Sequence, residues 1–382
     1  MRYTFTTEQH EFRAVLRRFF GRTSPPSVVR RLMETDVGWD PAHWGELNSQ
    51  LGLCGVHVPE AYGGMGFGLV ELGIVLEEMG RALLCAPFFS SAVLATNAIL
   101  NGADEAQKKN LLPGLAAGET IGALAFTEPN GHWSYDGVAM IAREAAGAYR
   151  LSGVKSFVID GHTADLLIVL ARRPDSVGDS GLSLFAVRGD AGGLIRTPLN
   201  TLDATRKLAR VEFDDVEAEL LGAPEQASKP FAKTLAQAAA MLANEMVGGA
   251  DRLRESALEY ANLRVQFGRP LSSFQVMKHK QADMLVDVEL ARSAAYQASQ
   301  AAALDEVGWI ALASLAKAAA SEAYLQTAIH AIQIHGGIGF TWENDTHLWF
   351  KRAKSSEVLL GDAIWHRELM MRAWTDCGSQ GQ

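Results

Sequence analysis

Apolar residues recur at three- and four-residue spacing over two long parts of the chain and alternate with polar ones in between. Phe12, Val15, Leu16, Phe19 and Phe20 fall at helical spacing behind Thr6 and Thr7, which can cap the helix. A second helix is expected over 41–51, ended by Gly52 and followed by Pro59 and the turn Gly63, Gly64, Gly66, Gly68. Helical spacing returns over 69–84 and over 104–117, with Asp104 as a cap. Near residue 120 the pattern changes. Residues 149–160, 164–173, 182–189 and 208–216 are β-rich, with Gly, Asp and Asn between them at hairpin or loop spacing. Past Pro230 the chain becomes alanine-rich and helical: 231–264, 273–304, 309–337, and a shorter helix after Asn344. Short connections between such helices predict a bundle. The expected fold is mainly α with a central β domain: a helical domain over 1–120, a β domain over 121–226 and a helical bundle over 227–382.

Charge and composition narrow the function. Against 35 Lys and Arg stand 44 Asp and Glu, a net charge of −9 with no basic block, so nucleic acid is not an expected partner. No apolar run reaches ~18 residues, so no membrane span is expected. The N-terminal stretch lacks the apolar core and cleavage pattern of a signal peptide. Cys54, Cys85 and Cys377 lie far apart without CxxC spacing, which fits a reducing, cytoplasmic setting rather than a zinc knuckle or disulfide framework. No dinucleotide or P-loop glycine motif, no HExxH and no G-x-S-x-G is present, so no metal site is expected.

Five stretches together resemble the acyl-CoA dehydrogenase family. LGLCGVHVPEAYGGMGFGLVELGIVLEEMGRAL (51–83) is similar to its N-terminal helical signature. LAFTEPNGHWSYDG (124–137) stands where the family has its T-E-P loop, and YRLSGVKSFVIDGHTAD (149–165) where it has the K-x-[WF]-I strand. RVQFGRPLSSFQVMKHKQADM (264–284) and IQIHGGIGF (332–340) resemble two flavin-contacting segments of the bundle. They occur in the family's order over about 290 residues. The resemblance implies an N-terminal helical domain, a middle β-barrel-like domain and a C-terminal four-helix bundle. It also implies FAD, an acyl-CoA substrate oxidised to the trans-2-enoyl-CoA, and electrons passed to an electron-transfer flavoprotein or similar acceptor. The cofactor carries the redox chemistry, while the protein places a base and excludes water.

Carried over residue by residue, the resemblance puts Thr127 against the flavin, with Leu124 in the same cofactor set. Phe157 packs on the isoalloxazine ring, and Ile159 stands where a flavin-bonding Thr or Ser is common. Arg264, Phe267 and Gln275 reach the flavin of a neighbouring subunit, and Gln333, Gly336 and Gly337 match the Q-x-x-G-G turn. This sharing of a site implies a tetramer, homomeric or with a second chain of the same family. Taken singly, each residue has a plainer reading: Gly336-Gly337 as a helix end, Phe157 as core, Arg264 as a solvated or Glu259-paired side chain.

Three departures shift the chemistry. The loop after T-E-P reads Asn130-Gly131-His132-Trp133-Ser134-Tyr135-Asp136 in place of glycine-serine-aspartate. Ile159 lacks a hydroxyl. Leu360 takes the place of the catalytic glutamate, with Asp362 two residues on. The expected base is then Glu245, a carboxylate on the stripe Ala238, Met241, Leu242, Gly248, Gly249 of the long helix. Asp362 is the second candidate, and an ion pair with an arginine such as Arg252 is the structural alternative for Glu245. These losses resemble bacterial family members built from unlike subunits, some acting on bulky or sterol-derived acyl-CoAs. Ala236, Ala238, Ala239 and Ala240 would leave room for such a chain. A non-catalytic partner subunit and a flavin monooxygenase or oxidase are the other readings.

Overall fold

The computed structural model describes residues 5–145 and 147–379; for 375–379 only the backbone is described. In chain order the helices α1 (Thr7–Thr23), α2 (Pro26–Met33), α3 (Pro41–Leu51), α4 (Leu69–Ala82), α5 (Thr96–Gly102) and α6 (Glu105–Ala116) come first. Strands β1 (Gly122–Ala125), β2 (Ile141–Ala145), β3 (Ala148–Ile159), β4 (Leu166–Arg172), β5 (Leu182–Arg188), β6 (Leu194–Pro198) and β7 (Leu208–Leu221) follow. Then come α7 (Ser228–Leu263), the short pair β8 (Val265–Gln266) and β9 (Arg269–Pro270), α8 (Gln275–Ala303), α9 (Trp309–His335), α10 (Thr346–Val358) and α11 (Ala363–Ser379). The contacts group into two compact units: a helical unit of 1–31, 69–84 and 239–382, and a mixed unit of 32–68 and 85–238.

In the mixed unit five strands close on themselves. β4 pairs with β2, β2 with β3, β3 with β7, β7 with β5, and β5 returns to β4. Closure removes the open edges that would otherwise invite foreign strands. Leu151, Leu167, Val169, Phe185, Val211 and Val216 fill the interior. Gly52 ends α3 at φ +60°, as its position in the sequence predicts, and Asp104 with Gln107 forms a reciprocal cap on α6. A buried π-helical segment, Phe89–Ala95, precedes α5, and the side-chain pattern gave no sign of it.

In the helical unit, Thr6 caps α1 in a capping box with Gln9. α4 and α7 cross at paired glycines. A Cβ on Gly80 would lie 1.9 Å from Glu245 O, and one on Gly248 would lie 1.8 Å from Glu77 O. Only hydrogen lets these backbones meet. The stretch after Asn344, read as one helix, is two. Leu360 at φ +61° and Gly361 at φ +103° break it, and neither value continues a right-handed helix. The buried Lys317 Nζ donates to Glu357 O (3.1 Å) and Gly361 O (3.0 Å) and so holds the break.

Among the described residues, no helix is long and apolar enough to cross a membrane, and no three His, Cys, Asp or Glu could hold a metal. Cys54 and Cys85 are buried free thiols; the side chain of Cys377 lies outside the described residues.

Candidate functional site

In the mixed unit the T-E-P loop and β3 are fastened together by a buried ion pair. Lys155 Nζ donates to Glu128 Oε1 at 2.8 Å and to Phe126 O at 3.2 Å, and Lys155 has no solvent exposure. The other bonds to Glu128 come from backbone amides, Met140 N to Oε1 (2.9 Å) and Ala139 N to Oε2 (3.0 Å). Between the pair's anchor points, Ser156 N donates to Thr127 O at 2.8 Å. Burial pushes the Lys155 ammonium down to about 8, against the pull of Glu128.

The register of β3 against β7 shifts between Lys155 and Val158. There Phe157 adopts φ +58° and stays 41% exposed. A bulge that turns an aromatic outward against its backbone preference is an unusual expense, of the kind found at binding sites. The plain reading of Phe157 as core is overturned. Thr127, Leu124 and Ile159 are all buried, at 2%, 2% and 4%. The lost hydroxyl at 159 is consistent with that: the position is packed as strand interior. Asn130 Nδ2 closes the altered loop onto Gly137 O at 2.7 Å, and Trp133 packs toward Phe126 with centroids 6.0 Å apart.

In the helical unit Glu245 is not unpartnered, as the sequence led us to expect. Arg352 Nη1 donates to its Oε1 at 2.8 Å, with both residues about 5% exposed. The partner is on α10, not Arg252 on the same helix. A carboxylate this buried is retained where a guanidinium meets it. Leu360 is buried at the helix break. Asp362 caps α11, its Oδ1 accepting from Trp365 N at 2.8 Å. Ala238, Ala239 and Ala240 are packed at 2% exposure or less, while Ala236 is partly exposed.

Six other residues lie at an open surface of this unit. The β8–β9 hairpin carries Phe267 at its tip with φ +54° and 90% exposure, and Arg264 precedes it. The Arg264 side chain is exposed and has no ion pair among the described residues, Glu259 included. Gln275 opens α8 and is exposed. Gln333 Oε1 accepts from Lys280 Nζ at 3.0 Å. Gly336, at φ +68°, ends α9; a Cβ on it or on Gly337 would meet nothing within 4 Å. The φ of Gly336 favours glycine there, and the space beside both glycines is open.

These groups fit FAD. An outward aromatic suits a flavin ring, an uncommitted guanidinium suits a pyrophosphate, and open glycine backbone admits a close ligand. Arg352, Glu128 and Lys155 escaped the site assignment. The last two stood inside the T-E-P and K-S-F-V-I stretches, so the motifs held the signal; nothing local marked Arg352.

Three family models cover most of the chain. The acyl-CoA dehydrogenase N-terminal domain matches residues 6–119, the middle domain 123–216 and the C-terminal domain 230–375. Acyl-CoA dehydrogenase IpdE2 of Mycobacterium tuberculosis is 33% identical over 353 residues, 92% of this chain and 93% of its own length. The structure of butyryl-CoA dehydrogenase from Megasphaera elsdenii superposes with a TM-score of 0.92 at 28% identity, covering 98% of this chain and 100% of that one. A structure named as the Tcur3481-Tcur3483 steroid ACAD, G363A variant, gives 0.87 at 29% identity, covering 97% and 99%. The chain belongs to the acyl-CoA dehydrogenase family, flavin-dependent oxidoreductases with FAD as cofactor.

Proposed function

We propose that the chain works in a flavin-dependent assembly that converts a bulky acyl-CoA thioester to its trans-2-enoyl-CoA. The observation that carries this reading is the buried carboxylate of Glu245 on α7, in a chain where Leu360 stands at the usual base position. The α proton goes to Glu245, which Arg352 holds in one orientation. FAD supplies the acceptor for the β hydride, and the two electrons leave for an external acceptor such as an electron-transfer flavoprotein. Thr127 and Phe157 in the mixed unit, and Arg264, Phe267, Gln275, Gln333, Gly336 and Gly337 in the helical unit, are the residues we assign to the cofactor.

Ring-bearing substrates are favoured by the likeness to the steroid ACAD; the packed alanines of α7 lend no support. A tetramer with an unlike chain is favoured by the same likeness. It is also favoured by exposed apolar residues on α8, Val276, Leu285, Val286 and Leu290, together with Phe267.

The test is Glu245→Gln in the assembled, FAD-loaded protein. Removal of a general base slows flavin reduction by acyl-CoA by about two orders of magnitude or more, with flavin content unchanged. A second reading has its own observation: Arg352 occupies Glu245 Oε1, and the Asp362 carboxylate is committed to a helix cap. In that reading the chain is the half-site partner of a catalytic subunit. Near-normal flavin reduction by Glu245→Gln selects it.

A further inference from the structure

Glu128 gathers three separate backbone segments of the mixed unit. Through its two oxygens it holds Ala139 and Met140, and through Lys155 it holds β3 and the carbonyl of Phe126. Thr127 lies between two of these anchor points, residues 126 and 128, and its own carbonyl accepts from Ser156. Phe157 follows Lys155 by two residues, inside the bulge. A second cation, Arg172, is buried beside the first and ties Val138 O at 2.6 Å. The pair is buried, with Lys155 unexposed and Glu128 6% exposed. An ion pair so buried is costly to build, and hydrophobic residues would serve stability as well or better. What it provides that apolar packing does not is fixed geometry between 126–128, 139–140 and 155–157.

We propose that the Lys155–Glu128 pair is a positioning device: it sets the Thr127 turn and the outward Phe157 ring in the one arrangement that receives the isoalloxazine. The assignment of Thr127 and Phe157 to flavin rests on the function proposed above; the fastening of the three segments does not. Lys155 and Glu128 are positioning residues, acting through Thr127 and Phe157. The groups facing Lys155 are Glu128 and Arg172.

The experiment uses the assembled, flavin-loaded protein and the double variant Lys155→Met with Glu128→Gln, which removes both charges of the pair together. Amide hydrogen exchange at Ala139 and Met140, which donate to the Glu128 carboxylate, should speed up by about tenfold or more, the worth of bonds to a charged acceptor. The melting temperature should stay near that of the parent. The same variant should weaken FAD binding by about tenfold and change the visible circular dichroism of the bound flavin, as Phe157→Ala also should. Unchanged exchange overturns the fastening. Faster exchange with parental flavin affinity and dichroism overturns the positioning role. Should the double variant not fold, Lys155→Gln with Glu128→Gln takes its place and is read by the same exchange and dichroism; parental values for both overturn the proposal. A parent assembly without flavin would refute the function proposed above, while the exchange data still decide the fastening.

Discussion

Arg352 Nη1 donates to Glu245 Oε1 across 2.8 Å and joins α10 to α7, with both side chains buried. The relationship has an energetic signature. Arg352→Met takes the guanidinium away from the buried Glu245 carboxylate and is expected to destabilise the protein by about 3–5 kcal/mol. Adding Glu245→Gln to it should restore most of that loss. Denaturant unfolding of the three proteins measures both. A loss below about 1 kcal/mol in Arg352→Met, the range of exposed pairs, would show that the pair is not closed off from water.

The crossing of α4 and α7 is expected to resist the smallest enlargement. Gly80→Ala and Gly248→Ala place a methyl group within 2 Å of a backbone carbonyl, which has nowhere to go. Each should cost about 1–3 kcal/mol or more, the range for overpacking. Gly21→Ala on α1 is the control, since its Cβ meets nothing within 4 Å. It should be neutral or stabilise by up to about 1 kcal/mol through helix propensity. Equal melting temperatures for Gly80→Ala and Gly21→Ala would contradict the close crossing.

Acid should weaken the helical unit through His366. Its Nε2 donates to Leu360 O at 3.0 Å and the ring is 2% exposed. Burial, with the charge of Lys317, pushes the imidazole down to about 3 from an ordinary 6.5. Between those values the unfolded chain takes up a proton that the folded chain refuses. The stability contribution is therefore complete above pH 6.5 and is lost as pH falls toward 3. Its upper size is of order 5 kcal/mol. His366→Gln should flatten the stability profile over pH 6.5 to 4. Parallel profiles for parent and variant would exclude His366 as the titrating group.

Assembly is expected to run through the exposed face of α8. Leu290→Asp replaces an apolar side chain that is 65% exposed in the single chain. In a tetramer it would bury a charge, so light scattering should show dissociation while helix content is retained. An unaltered tetramer would place the interface elsewhere.

The order of helices, β domain and helices was legible because spacing of apolar residues needs no partner to be read. The caps at Thr6 and Asp104 and the stop at Gly52 are likewise decided within a few residues. The motifs located the T-E-P loop, the Phe157 strand and the Gly336 turn for the same reason. Other features depend on segments far apart in the chain. Glu245 sits on an apolar stripe in sequence, but only the fold brings Arg352 to it from 107 residues away. Phe157 alternates like a core residue, yet the shifted register against β7 turns it outward. Of the four alanines of α7 that promise space, Ala238, Ala239 and Ala240 are buried in the fold and Ala236 is partly exposed. The break at Leu360 is unreadable locally, because it is held by Lys317 from α9. Local propensity and periodicity determined the elements; ion pairs, strand register and helix breaks were decided by tertiary contact, since each depends on what the distant chain places alongside.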